Sequence, residues 1–336
     1  MIGEARSARW ADNVAMETSS PRAARSKAAH RGRPARHAAV ALRRVRRWPP
    51  AVRGMLWSVG AGLVFVVLNA IMRALAQQID PYQTQFLRYL MGLAVMLPVV
   101  LRQGLAAWRP RDIGGQFTRG ALHTLGLVLW FTAIPHITIA DTTAIGFTGP
   151  IFIMLGAAVF FRERMRWERW VAAAVGFIGV LIVVGPKLTG QGGVYALVML
   201  ASAPVFAASF LVTKALTRYE RAELIVVWQA ITVTLFSLPM ALLHWSWPDA
   251  TQWVLFAVCG VLGSLGHYFL TRSYAVADIS ATQSTKFLEL VWATLLGWAW
   301  FGDAPSGSTL AGGVLIAAAT LWVARREARG RIPDRA

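Results

Sequence analysis

Ten apolar runs, most of them close to the roughly 20 residues that a helix needs to cross a bilayer, follow one another with only short polar breaks between them. They extend over Met55–Ala76, Gln83–Leu101, Phe117–Ile134, Ala140–Phe161, Trp170–Val184, Gly192–Val212, Ala222–Leu243, Trp253–Thr271, Ile279–Phe301 and Thr309–Val323. Lipid offers a backbone no hydrogen-bond partners, so each run is expected to satisfy its own amides as a helix. None alternates apolar and polar residues as a barrel strand would. The expected fold class is therefore an all-α membrane protein with ten transmembrane helices, and a soluble fold is excluded.

The net charge of +18 gives an independent check on that count. Thirteen of the 34 basic residues lie in residues 1–53, against three acidic ones. If the N-terminus is cytoplasmic, that tail, the segments between alternate spans and the C-terminal end together hold 30 of the 34. The opposite face keeps only Lys187, while Arg73, Arg88 and Lys286 fall inside spans. Miscounting one helix would scramble the alternation, so the positive-inside rule supports ten spans in the cytoplasmic (inner) membrane with both termini cytoplasmic. Charge that marks one side of a membrane is not a surface for nucleic acid, and no nucleic-acid partner is expected.

Residues 1–53 are rich in Ala, Arg, Ser and Pro, hold too few large apolar residues for a core, and are expected to be disordered. Two readings stay open for them: a solvated tail beside the membrane, or a stretch upstream of a start at Met55. They do not read as a secretory leader, because the first apolar run is too long and is followed by nine others.

The two halves of the remainder are alike. Arg73-Ala74-Leu75 matches Lys214-Ala215-Leu216 at a shift of 141, Pro98 falls on Pro239 at the same shift, and Glu163 falls opposite Asp303 at 140. Residues 54–186 and 192–325 are expected to be two repeats of five helices, with a basic C-terminal tail over 326–336. An odd number of crossings forces the second repeat to enter with opposite polarity, and inverted repeats of this kind place a transport site between them near the midplane.

Two stretches carry a resemblance to a known family. In the first half, Thr142-Thr143-Ala144-Ile145-Gly146-Phe147-Thr148-Gly149-Pro150 leads to Phe161-Arg162-Glu163-Arg164. In the second, Gly263-Ser264-Leu265-Gly266-His267 and Glu289-Leu290-Val291-Trp292 precede Phe301-Gly302-Asp303. Over residues 54–326 the chain resembles the drug/metabolite transporter superfamily, specifically its EamA-domain members with ten helices. The resemblance implies the inverted-repeat fold and transport of a small metabolite. It leaves the substrate open, since members are similar to carriers of amino acids, riboflavin and S-adenosylmethionine. Asp303 departs from the Glu usual at the end of the second repeat.

An ionisable group inside a span costs about 2.5–3.5 kcal/mol on insertion scales, so each one calls for a reason. Lys286 and Glu289 share one face of the ninth span with Thr282 and Gln283 a turn earlier, forming a polar stripe. The stripe reads either as the lining of a central cavity, where Lys286 attracts an anionic group and Glu289 binds a cation or proton, or as a local ion pair joining helices. At a shift of 139 the first half offers Phe147 and Pro150, with Thr143, Thr148 and carbonyls freed by Pro150 as its contribution. Arg88 either snorkels or points inward as a second anion contact. Asn69 would hydrogen-bond substrate or a neighbouring helix, and His267 follows glycines spaced for close packing. Trp228 with Gln229, and Trp292 three residues after Glu289, could stack on a planar or cationic substrate. Gly176 and Gly179 read as packing or homodimer contacts.

Enzymatic chemistry is not expected. The chain has no Walker loop and no HExxH motif, and its single cysteine, Cys259, excludes a disulfide framework or a Cys-based metal site. Without cofactor or metal, the partners expected are the lipid bilayer and a small-molecule substrate, with transport driven by a proton or a counter-substrate. The alternative is a non-transporting membrane sensor or assembly protein that uses the basic tail to bind a partner or anionic lipid.

Overall fold

The computed structural model describes residues 48–137, 139–188, 193–301 and 305–329. The expectations for the tail up to residue 47, for Asp303 and for residues 330–336 lie outside them. All helices named here belong to one compact unit, Pro49–Ala336. They are α1 (Pro50–Ala76), α2 (Pro81–Gln103), α3 (Ile113–Ala133), α4 (Ile139–Gly146), α5 (Gly149–Phe161), α6 (Trp167–Val184), α7 (Gly193–Leu216), α8 (Ala222–Ala241), α9 (Ala250–Val276), α10 (Leu288–Phe301) and α11 (Gly307–Arg329). The architecture is all-α, and among the described residues nine spans are long and apolar enough to cross a membrane.

The tenth crossing is the ninth in chain order, and it departs from the continuous helix expected over Ile279–Phe301. Ser280–Phe287 winds as a 3-10 helix and only Leu288 onward is α-helical. The local sequence Ser-Ala-Thr-Gln-Ser-Thr explains this. The Thr282 hydroxyl and the Gln283 amide both donate to the Ile279 carbonyl at 2.8 Å, and the Thr285 hydroxyl donates to the Thr282 carbonyl at 2.6 Å. Side chains that capture these carbonyls compete with the i−4 ladder and tighten the turn.

The fourth crossing is broken at the corresponding place. α4 stops at Gly146, the Thr148 hydroxyl returns to the Ile145 carbonyl at 2.6 Å, and Pro150 opens α5 in the first-turn position where a missing N–H is harmless. The two α-helical portions end at Phe161 and Phe301, and the following helices begin at Trp167 and Gly307, both at a shift of 140. The register is therefore 140 here, not 139. Phe147 is the counterpart of Phe287, and the two rings stack at 5.7 Å, while Lys286 and Glu289 stand opposite Gly146 and Gly149.

Neighbours obey the same exchange. α1 packs along α9 and its counterpart α7 along α3, whereas α2 packs on its own counterpart α8, and α6 on α11. Two inverted five-crossing repeats related by a pseudo-twofold account for this pattern. Backbones meet closely at two places: a Cβ on Gly260 of α9 would lie 2.6 Å from the Gly92 nitrogen of α2, and one on Gly312 of α11 would lie 2.5 Å from the Gly179 oxygen of α6. Gly176 is covered by the Phe287 ring. Both α6 glycines are thus occupied by packing within the chain, which removes them as dimer contacts.

Of the basic residues counted on sequence grounds as topology markers, Arg169 and Arg119 are buried and Lys214 is half-buried. Arg169 is 6% exposed and donates to Glu327 at 2.9 Å, Asp278 at 3.2 Å and the Ser280 hydroxyl at 2.7 Å. Lys214 donates to carbonyls at the C-terminal end of α9, Tyr274 at 2.7 Å and the capping residue Ala277 at 2.6 Å. Arg119 is 2% exposed. Glu163 accepts from the amides of Ile279 and Ser280 at 3.0 and 3.2 Å, capping the start of the broken ninth crossing. The acid of the first repeat's closing motif therefore holds the second repeat's broken segment in place.

Candidate functional site

Lys286 lies in the last turn of the 3-10 segment and Glu289 in the first turn of α10, so the pair straddles the break. Lys286 Nζ donates to Glu289 Oε1 at 2.6 Å, with side chains 31% and 18% exposed. The pair lies against α1 of the other repeat. A Cβ on Gly62 would lie 3.0 Å from Glu289 Cγ, a tight contact that the glycine relieves, and Lys286 Nζ sits 5.5 Å above the Phe65 ring. Lys286 stands seven residues, about 14 Å of 3-10 rise, from Ile279 at the start of the crossing. The rest of the expected polar stripe is committed elsewhere. Gln283 is buried with its amide on Ile279, and Thr282 and Thr285 serve the backbone, Thr285 also meeting Ser58 of α1 at 2.7 Å.

A second polar cluster occupies the other side of Phe65, whose ring meets His267 of α9 edge-on at 5.1 Å. His267 is 6% exposed, and around its Nε2 stand Arg88 Nη2 at 3.4 Å, the Tyr89 hydroxyl at 3.3 Å and Gln229 Nε2 at 3.4 Å. Arg88 turns inward; it does not snorkel, and its guanidinium lies 4.6 Å over the Tyr89 ring. Tyr89 also meets His123 Nε2 of α3 at 2.8 Å. Behind them, Arg119 of α3 donates to the Gln229 carbonyl oxygen at 2.6 Å, to the Ile225 carbonyl at 3.3 Å and to the Thr213 hydroxyl. Arg88, Gln229 and His267 line a cleft of about 10 Å³ between α2, α8 and α9, room for about one water molecule. Like the ion pair, it lies where one repeat meets the other.

The remaining candidates are dispersed. Asn69 is exposed, two turns from Gly62 on the same face of α1. Thr143 lies half-buried on α4. Trp228 does not line the cleft: its indole N–H donates to the Trp108 carbonyl at 2.9 Å and its ring packs near Phe117. Trp292 is half-buried one turn after Glu289, and its indole N–H has no partner among the described residues. Sequence reasoning passed over Arg119 and Tyr89. Arg119 stands near a span end, where basic residues mark topology, and Tyr89 was a neighbour of Arg88 with no polarity signal of its own.

A membrane-embedded helical fold of two inverted repeats, each with a broken crossing and buried charges where the repeats meet, defines a transporter. The chain belongs to the EamA-like transporter family, which it matches over residues 52–185 and 193–325. It is 36% identical to the riboflavin transporter of Rhizobium johnstonii, over 83% of this chain and 93% of that one. Its identity to the pseudopaline exporter CntI of Pseudomonas aeruginosa strain PAO1 is 30%, over 81% and 96%. To the S-adenosylmethionine uptake transporter of Rickettsia prowazekii it is 28% identical, over 81% and 92%. A solved crystal structure shares the fold with a TM-score of 0.71 at 21% identity, over 82% of this chain and 98% of its own. The protein is a multi-pass membrane transporter of the drug/metabolite superfamily and not an enzyme.

Proposed function

We propose that the chain is a secondary carrier of the cytoplasmic membrane, both termini cytoplasmic, that moves a planar, heteroaromatic metabolite of the riboflavin type by rocking residues 54–186 against residues 192–325. The observation that carries this reading is the Lys286–Glu289 ion pair, formed at the broken ninth crossing and pressed against Gly62 and Phe65 of the opposite repeat. A pair inside a crossing is expensive unless it is used, and it can open to offer a cation and an anion to the substrate or to a coupling proton. Arg88, His267 and Gln229 form the second wall, while Asn69, Thr143 and Trp292 stand where a larger ligand would meet them in another conformation. The identity to a riboflavin transporter supports the substrate class.

Flux of riboflavin into proteoliposomes tests this. Wild-type protein is expected to carry it, and Lys286→Ala and Glu289→Ala to fold without doing so; wild-type rates in both variants would refute the site. Removal of residues 1–48 is expected to leave flux unchanged. Loss of flux on that deletion would favour a role for the tail in binding a partner or anionic lipid.

A further inference from the structure

Three hydrogen-bond donors converge on one lone pair in the cleft between α2, α8 and α9. Arg88 Nη2, Gln229 Nε2 and the Tyr89 hydroxyl all stand 3.3–3.4 Å from His267 Nε2. A guanidinium can only donate. The Gln229 amide is fixed in orientation, because its oxygen accepts from Arg119. His267 Nε2 is therefore the acceptor and carries no proton, and an imidazole nitrogen offers a single lone pair. Tyr89 has a shorter alternative in His123 at 2.8 Å, which leaves Arg88 and Gln229 sharing His267 at lengths beyond an ordinary bond.

Arg88 has a further donor to spare. Its Nε is buried with no partner among the described residues, and Nε and Nη2 together form one edge of the guanidinium. That edge packs directly against Gly263, where a Cβ would lie 3.1 Å from Nε and 3.3 Å from Nη2, so a glycine here is what lets the fork reach the face of α9. Among the described residues, no ion pair involves Arg88 or Arg119, so the cleft holds positive charge and unspent donors with no carboxylate to answer them.

We propose that this cleft, opened as the repeats part, binds a coplanar pair of adjacent acceptor atoms on the substrate, a carboxylate or the neighbouring carbonyl oxygen and unprotonated ring nitrogen of a flavin, across Nε and Nη2 of Arg88, with Gln229 as the third donor. Two parallel bonds to a planar acceptor pair are the geometry a guanidinium fork is built for. Arg119 acts as a positioning residue, holding the Gln229 amide with its N–H groups toward the cleft. The proposal deepens the carrier reading and rests on it.

Purified full-length protein in detergent provides the test, with riboflavin as the heterocycle probe and S-adenosylmethionine as the carboxylate probe. Each is paired with analogues lacking the acceptor pair, 1-deazariboflavin and 5-deazariboflavin for the first and decarboxylated S-adenosylmethionine for the second. Wild-type protein is expected to bind at least one probe and to prefer it to an analogue of that probe by roughly 10- to 100-fold, the range for charge-assisted bonds. Arg88→Lys keeps the charge and loses the fork, so its preference is expected to fall below about threefold while its binding of that analogue is unchanged. Misfolding would lower both affinities together and would not erase the difference. Gly263→Ala, which crowds the fork, is expected to reduce the preference in the same direction. Full preference retained in Arg88→Lys would overturn the proposal, as would the absence of saturable binding of either probe. Lys286-dependent flux in proteoliposomes would then still stand, so that failure falls on the cleft and not on the carrier.

Discussion

Breaking the Lys286–Glu289 pair from each side, and then from both, measures how far its charges depend on one another. Removing one partner of a fully buried pair costs about 3–5 kcal/mol, because the other charge is left uncompensated, while exposed pairs are worth less than about 1 kcal/mol. These side chains are 31% and 18% exposed and 2.6 Å apart, between the two limits. Lys286→Met and Glu289→Gln are each expected to destabilise the protein by about 2 kcal/mol after that exposure is allowed for. The double variant carries no lone charge, so it is expected to lose less than the two single losses combined, with a coupling of about 1–2 kcal/mol. Thermal unfolding of the purified chain reads the stabilities, and flux in proteoliposomes reads function, which all three variants are expected to lose. Single losses that simply add would show that the charges do not sense each other. Transport by the double variant at the wild-type rate would refute their part in the site.

Further tests address the frame around the site. Gly260→Ala places a methyl against the backbone of Met91 and Gly92, which no rotamer change can relieve. It is expected to force α2 from α9, lowering the melting temperature and weakening substrate binding together; an unchanged melting curve would contradict the close approach. Arg169→Met leaves the 7%-exposed Glu327 with Arg166 alone, at 3.5 Å, and is expected to cost about 3–5 kcal/mol. Adding Glu327→Gln should recover part of that loss, and no recovery would mean that the pair is not the source. Asp112 caps α3, and its carboxyl is held below its ordinary range by the Gly115 amide and then by the Tyr219 hydroxyl. A depressed folded pKa stabilises above the unfolded pKa and is lost as pH falls through the folded one, so wild-type stability should fade below about pH 4. Asp112→Asn should flatten that decline, and an identical acid profile would contradict the assignment.

Much of the fold was legible because bilayer thickness converts directly into run length and odd-numbered repeats convert into inverted polarity. What the sequence concealed came from local competition for backbone bonds. The run Ser280 to Thr285 reads as polar residues on a helix face, yet its hydroxyls and amide capture the carbonyls that an α-helix would use, and the crossing breaks just before Glu289. Lys286 and Glu289 were legible as charges that needed a reason. Arg119, Arg169 and Lys214 were not, since a basic residue near a span end serves topology equally well whether it faces water or a neighbouring helix. Trp228 illustrates the converse: its composition suggested stacking, but its indole N–H needed an acceptor and found the Trp108 carbonyl.

The most direct test of a substrate site between the repeats compares small molecules inside and outside cells that carry wild-type protein, the Glu289→Gln variant or neither, followed by uptake of any hit into proteoliposomes. At least one metabolite is expected to change its distribution with wild-type protein only, and to be carried by wild-type protein and not by the variant. Equal distributions and equal uptake for wild type and Glu289→Gln would contradict a transport site at this ion pair.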